Sequence, residues 1–160
     1  MFDHLTGDAL ANALKANAEP RAAALAMHLD TEVTTDNKLV YDLHSFTVGT
    51  KDYLVLTDAE ADERAAECVK ETLWAFNPSF LADYIPALHN AKAAAAWTKM
   101  VGEICEDATP LVEAMLGDRL DEMVEDAIAA DGRAHFLNTY DGEEHEVTVN
   151  GVRWYVYRTN

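Results

Sequence analysis

At 160 residues the chain has the length of one domain, and its 49% of hydrophobic residues, with three Trp, six Tyr and five Phe, are enough to bury a single core. Twelve basic against 29 acidic residues leave a formal charge of −17, which opposes direct binding to nucleic acid or to an anionic membrane. No stretch approaches the roughly 18 unbroken apolar residues of a membrane span, and the first residues lack a basic segment followed by an apolar run.

In chain order, an alanine- and leucine-rich stretch from Asp8 to about Leu29 is interrupted at Pro20. Asp8 suits the cap of a first helix. Pro20 suits the first turn of a second, where its fixed φ is helical and its missing N–H is not needed. Leu10 and Leu14 mark one inner stripe, and Ala22, Leu25, Ala26 and Leu29 the other. After a polar break at residues 34–38, Leu39 to Val48 and Tyr53 to Leu56 are β-branched and aromatic runs. Gly49-Thr50-Lys51-Asp52 between them predicts a hairpin. Thr57-Asp58-Ala59-Glu60 is a capping box, opening a helix to about Phe76 with Ala61, Ala65, Cys68, Val69, Thr72, Leu73 and Phe76 inward.

Asn77-Pro78 opens a short helix and Ile85-Pro86 breaks the chain again. Ala87 to about Asp107 has helical spacing, with Trp97, Met100, Val101, Ile104 and Cys105 inward. Thr109-Pro110 starts another short helix that stops at Gly117. Asp118 is placed to cap the next, whose stripe is Leu120, Met123, Val124, Ala127 and Ile128 and whose end is marked by Gly132. Asn150-Gly151 is the favoured type I′ turn of a C-terminal hairpin. Counting outward pairs Val149 with Val152, Val147 with Trp154 and His145 with Val156 on a core face. Thr148 with Arg153, Glu146 with Tyr155 and Glu144 with Tyr157 fall on the other, expected to be solvated. The reading is a single α+β domain, 1–160, in which a helical layer packs on antiparallel hairpins at about 39–56 and 144–158. The two cysteines, Cys68 and Cys105, are expected as buried free thiols in a reducing cytoplasm.

Chemistry-bearing patterns are few. There is no Gly-x-Ser-x-Gly elbow, no phosphate-cradling glycine loop and no dinucleotide fingerprint, so no cofactor and no catalytic residue is expected. Asp131, His135, Asp141 and Glu144 are the nearest thing to a metal set, since imidazole and carboxylate both suit divalent ions. Their spacing matches no established ligand pattern, and the Asp-Gly pairs are explained as a helix stop and a turn. Trp74 and Phe80 fall in an aromatic segment, Leu73 to Leu81, which reads either as a helix corner over a shared core or as a contact for a partner or a second copy.

The acidic helices carry more. Glu60, Glu63, Glu67 and Glu71 recur every three to four residues on one helix, and Asp118, Asp121, Glu122, Glu125 and Asp126 crowd another. Like charges at such spacings repel by a few tenths of a kcal/mol per pair. A use for that repulsion is imitation of the phosphate density of a duplex, which would let these helices occupy the basic groove of a nuclease, a restriction enzyme or a CRISPR effector. The plainer alternative is a solvated acidic face.

Several segments resemble a family of small acidic bacteriophage and prophage proteins with no assigned activity. They are Tyr53-Leu54-Val55-Leu56-Thr57-Asp58-Ala59-Glu60-Ala61-Asp62, Leu73-Trp74-Ala75-Phe76-Asn77, Asp131-Gly132-Arg133-Ala134-His135-Phe136-Leu137, Tyr140-Asp141-Gly142-Glu143-Glu144 and Tyr157-Arg158-Thr159-Asn160. The likeness covers about the second two-thirds of the chain. It departs at Ala134, where the family has glycine, and in the N-terminal helices. The resemblance implies a bacterial host cytoplasm and favours a non-enzymatic DNA mimic or anti-defence inhibitor, acting on restriction or CRISPR components through the carboxylates above. Metal binding, or metal-dependent catalysis, at the Asp131–Glu144 segment and a self-associating or virion-associated role through Trp74 and Phe80 remain the alternatives.

Overall fold

A computed structural model describes residues 19–160. The helix expected from Asp8, with Leu10 and Leu14, lies outside the described residues. Pro20 takes the first position of α1 (Pro20–Leu29), and Asp30, in the left-handed region at φ +51°, closes it. Ala22, Ala24 and Leu25 are buried on its inner side, with Ala26 and Leu29 half-buried against the same core. The small residues let α1 lie close on the sheet, over the strands Lys51–Leu56, His145–Val149 and Val152–Arg158.

The first extended run differs from expectation by one extra turn. It breaks at Val40–Tyr41 into β1 (Lys38–Leu39) and β2 (Asp42–Val48), which then turns at Gly49–Thr50 into β3 (Lys51–Leu56). Gly49 at φ +65° meets the demand of that two-residue turn for a residue without a Cβ. At the other end of the chain, β4 (His145–Val149) and β5 (Val152–Arg158) pair in the register counted from Asn150-Gly151, from His145↔Val156 through Val149↔Val152. Asn150 and Gly151 have φ of +50° and +79°, as a type I′ turn requires.

The two hairpins join into one five-stranded antiparallel sheet of order β1-β2-β3-β5-β4, through Leu54↔Tyr157, Val55↔Val156 and Leu56↔Tyr155. With its helices, this is the α+β class expected. The joining overturns one expectation. Tyr155 and Tyr157, assigned to a solvated face, are 6% and 0% exposed. They sit on an inner strand, beside Leu56 and Leu54, and both faces of that strand are buried. Glu146 and Thr148, on the edge strand, are exposed as alternation predicts. The last residues fasten across β3: Thr159 N–H donates to the Asp52 carbonyl (2.9 Å), and Asp52 N–H donates to Asn160 Oδ1 (2.6 Å).

Thr57 and Glu60 form the expected capping box at the start of α2 (Asp58–Glu71), with Thr57 N–H donating to Glu60 Oε2 at 2.8 Å. α2 stops five residues before Phe76. The Thr72 hydroxyl donates to the Cys68 carbonyl, and a 3-10 turn, Leu73–Ala75, follows. By their contacts the described residues form two compact units. One comprises those up to Glu63 together with Ala134–Asn160, the other Arg64–Arg133.

The second unit is helical. Asn77 caps α3 (Pro78–Leu81), and Asn90 caps α4 (Ala91–Ile104) by accepting from the Lys92 and Ala93 N–H groups. Ala87, Leu88 and His89, expected within that helix, belong instead to a separate 3-10 turn, Pro86–His89. α5 (Thr109–Leu116) ends at Gly117, φ +53°, and α6 (Leu120–Asp131) ends at Gly132, φ +79°. Asp118 does not cap α6; it lies in a 3-10 turn, Gly117–Arg119, that precedes the helix. Met123, Val124 and Ala127 are buried as the stripe predicts, as is Trp97. Ile104 and Cys105 are not: both are exposed, because Cys105 takes φ +49° and turns the chain out of the helical path. Cys68 is half-buried, and burial pushes its thiol up. A last short helix, α7 (Arg133–Leu137), precedes β4.

Candidate acidic partner interface

The nine carboxylates singled out by spacing divide between the two units. Glu60 and Glu63 belong to the first, and Glu67, Glu71, Asp118, Asp121, Glu122, Glu125 and Asp126 to the second. Glu60 is engaged inside the fold. Arg21, the second residue of α1, donates to both of its oxygens at 2.7 and 2.6 Å and to the Val55 carbonyl at 2.9 Å. The guanidinium also lies over the Trp154 ring, 4.9 Å from its centroid. These bonds from Arg21, with the capping N–H of Thr57, hold the Glu60 carboxyl down at about 2 against the raising effect of its own burial. Glu63 is exposed on the next turn of α2.

The remaining seven are all exposed, on α2 and on the turn and helix that follow Gly117. Three local ties order them. Lys70 Nζ reaches Asp121 Oδ1 at 3.0 Å, bridging α2 to α6. Arg119 grips both oxygens of Glu122 (2.9 and 3.1 Å), donates to the Asp83 carbonyl and stacks 4.9 Å over the Tyr84 ring. That grip keeps Glu122 below the usual carboxylate range. Tyr84 Oη donates to Asp126 Oδ2, and burial together with that carboxylate pushes the phenol up to about 12. Arg64 lies 3.9 Å from Glu67, an exposed pair. Exposed pairs of this kind contribute only about 0–1 kcal/mol.

Among Arg64–Arg133 there are thirteen Asp and Glu against six Lys and Arg. The surplus remains after every such pair is formed. Four carboxylates, Asp121, Glu122, Glu125 and Asp126, lie within about 8 Å along α6 at ~1.5 Å per residue. That is one per ~2 Å, near the ~1.7 Å per charge of a duplex.

The other candidates fare differently. Phe80 stacks between Phe76 and Tyr84, with centroids 5.7 and 5.6 Å away, and Trp74 and Phe80 are both half-buried. That ladder is a helix corner packed on itself. Of the metal candidates, Asp141 is occupied by the loop it sits in, accepting from Asn138 Nδ2 (2.7 Å) and from the Glu143 N–H (3.0 Å). Glu144 accepts from the Tyr157 hydroxyl, and His135 is exposed with its ring edge-on to Phe136. Among the described residues no three His, Cys, Asp or Glu side chains gather where they could hold a metal ion. No helix among them is long and apolar enough to cross a membrane.

Two features escaped the spacing patterns. His28 of α1 and His145 of β4 lie ring to ring at 4.6 Å, and burial, reinforced by His145, lowers the pKa of His28. A histidine on each of two elements leaves no local motif. Val40, Tyr41 and Leu43 are exposed at the β1–β2 turn. They read as strand because they are β-branched, aromatic and aliphatic. No family model matches the chain, and no curated protein or solved structure matches it either.

Proposed function

We propose that the protein is a non-enzymatic, phage-type accessory protein. It binds a basic, nucleic-acid-handling protein of a bacterial host through the carboxylates of α6, of the turn that precedes it and of the C-terminal half of α2, as a DNA mimic or anti-defence inhibitor. One observation carries the reading: the close row of exposed carboxylates on α6, tied to neighbouring elements by Lys70, Arg119 and Tyr84. Rigid carboxylates give up little freedom when a partner's lysines and arginines meet them. Association would be steered by the net charge and weakened by salt.

The test is an affinity pulldown from bacterial lysate, washed at low and then at high salt. The reading expects a basic nucleic-acid-binding protein retained in the first wash and released in the second. A triple variant, Glu67→Lys, Asp118→Lys and Glu125→Lys, avoids the residues that hold Tyr84 and Arg119. It should keep the fold and lose the partner. If it retains the partner unchanged, the reading is wrong.

A further inference from the structure

α1 is fastened differently at its two ends. At the start, Arg21 grips the Glu60 carboxylate, which takes a proton only at a pH of about 2. At the end, the helix closes on Asp30 at φ +51°, a conformation that a residue with a Cβ adopts at some cost. The N–H groups of Asp30 and Thr31 share the Ala26 carbonyl there. A helix of ten residues has little stability of its own, so its last turn depends on what it touches. That contact is His28 on His145 of β4, ring to ring at 4.6 Å and tilted by 31°. Leu29, Val33 and Val147 pack into the same core.

The surroundings decide what a proton does at this contact. Burial, and then the nearness of His145, disfavour the charged form of His28. β3, β4 and β5, which lie under α1, turn two other charged side chains to the face that carries His145. These are Lys51, which is exposed, and Arg158, which lies over the Tyr140 ring, and both are cations. On α1 and in the loop after it, Arg21 is held by Glu60, while Asp30 and Glu32 are exposed. Among the described residues, His145 is the charged neighbour that acts on His28, and no carboxylate offsets it.

We propose that His28 and His145 form an acid-released clasp: a proton taken up by His28 frees the last turn of α1 and the loop to Val33 from β4, while Arg21 and Glu60 keep the start of the helix in place. The clasp belongs to the first unit and goes beyond the acidic-helix reading, on which it does not rest. Release uncovers Leu29, Val33 and Val147, so the protein presents in mild acid a small apolar surface that it covers near neutrality. The window opens as the pH falls below about 6.5 and lasts until Glu60 takes its own proton.

Amide hydrogen exchange on the full chain, resolved by residue in magnetic resonance, tests it at about pH 7.5 and about pH 5.5, each rate divided by that of an unfolded chain at the same pH. Protection of Leu29, Asp30 and Thr31 should fall roughly threefold or more at the lower pH, since one proton changes an opening equilibrium by at most about tenfold per pH unit. Protection of Ala24 and Leu25 should hold. In His28→Gln, which takes up no proton, the fall should vanish. In His145→Gln it should shrink, because burial alone remains. Equal protection at the two pH values overturns the proposal. So does a fall shared by Ala24 and Leu25, which is loss of the whole helix, or one that persists in His28→Gln. Should His28→Gln be loosened already at the higher pH, His145→Gln decides, and an undiminished fall there overturns the clasp.

Discussion

Arg21 and Glu60 form a two-pronged ion pair that ties α1 to the first turn of α2, at 2.7 and 2.6 Å. It does three things at once: it neutralises a half-buried carboxylate, completes a capping box and anchors the helix that covers the sheet. Glu60→Gln keeps a side chain that can cap but removes the charge. It should lower stability by about 1–2 kcal/mol at pH 7, read by urea unfolding. The pH dependence has a definite sign. Glu60 titrates near 2 in the fold and near ~4.3 in an unfolded chain. Its contribution is therefore complete above about pH 5 and is lost as the pH falls toward 2. The gap between wild type and variant should close over that window, and a gap that persists at pH 2 would sink the assignment.

Tyr84 joins α6 to the chain before it through Asp126. Tyr84→Phe removes the hydroxyl and leaves the ring under Arg119, so a loss of about 1–2 kcal/mol is expected. Spectrophotometric titration offers an independent check. Tyr84 should ionise near pH 12 rather than ~10, and the variant should show one tyrosine's worth less of that late absorbance change. Stability owed to the phenol is present below about pH 10 and lost as the pH rises through 12.

Gly151 holds φ +79° in the β4–β5 turn, with open space where a Cβ would stand. The penalty for Gly151→Ala is therefore conformational, not steric. It should amount to about 1–2 kcal/mol, visible as a lower thermal midpoint with an unchanged native spectrum.

The ring pair of His28 and His145 gives the protein a third pH response, of the same sign as that of Glu60 but beginning at higher pH. His28 is held below its ordinary pKa by burial and by His145, so the unfolded chain binds its proton first. Stability should fall as the pH drops below about 6.5. In His28→Gln that slope should flatten. A His28 signal, assigned by its loss in His28→Gln, that titrates at or above ~6.5 in a magnetic resonance experiment would contradict the assignment.

Local pattern carried the local structure far. The Asn150-Gly151 dipeptide fixed all five pairs of the C-terminal hairpin, and Thr57 with Glu60 located a helix start to the residue. What spacing could not carry was pairing at a distance. Tyr155 and Tyr157 alternate as a half-exposed strand would. Only the β3–β5 ladder, which joins residues about a hundred positions apart, turns that strand into an inner one. Glu60 shows the same limit at the candidate site. Its spacing on α2 is that of a surface carboxylate, and the arginine that claims it lies 39 residues earlier. Val40 and Tyr41 were misread for a different reason: their side chains favour strands, while the backbone turns.

The order β1-β2-β3-β5-β4 has a consequence for how the protein is made. β5 follows every other described element along the chain, yet it lies inside the sheet, between β3 and β4. Until it emerges from the ribosome, β3 presents a bare edge bearing Leu54, Val55 and Leu56, the kind of edge that recruits other chains. A product interrupted before Val152 would keep that edge permanently. Closure of the sheet thus waits for residues 152–158, and chains that stop before them should collect in the insoluble or proteolysed fraction.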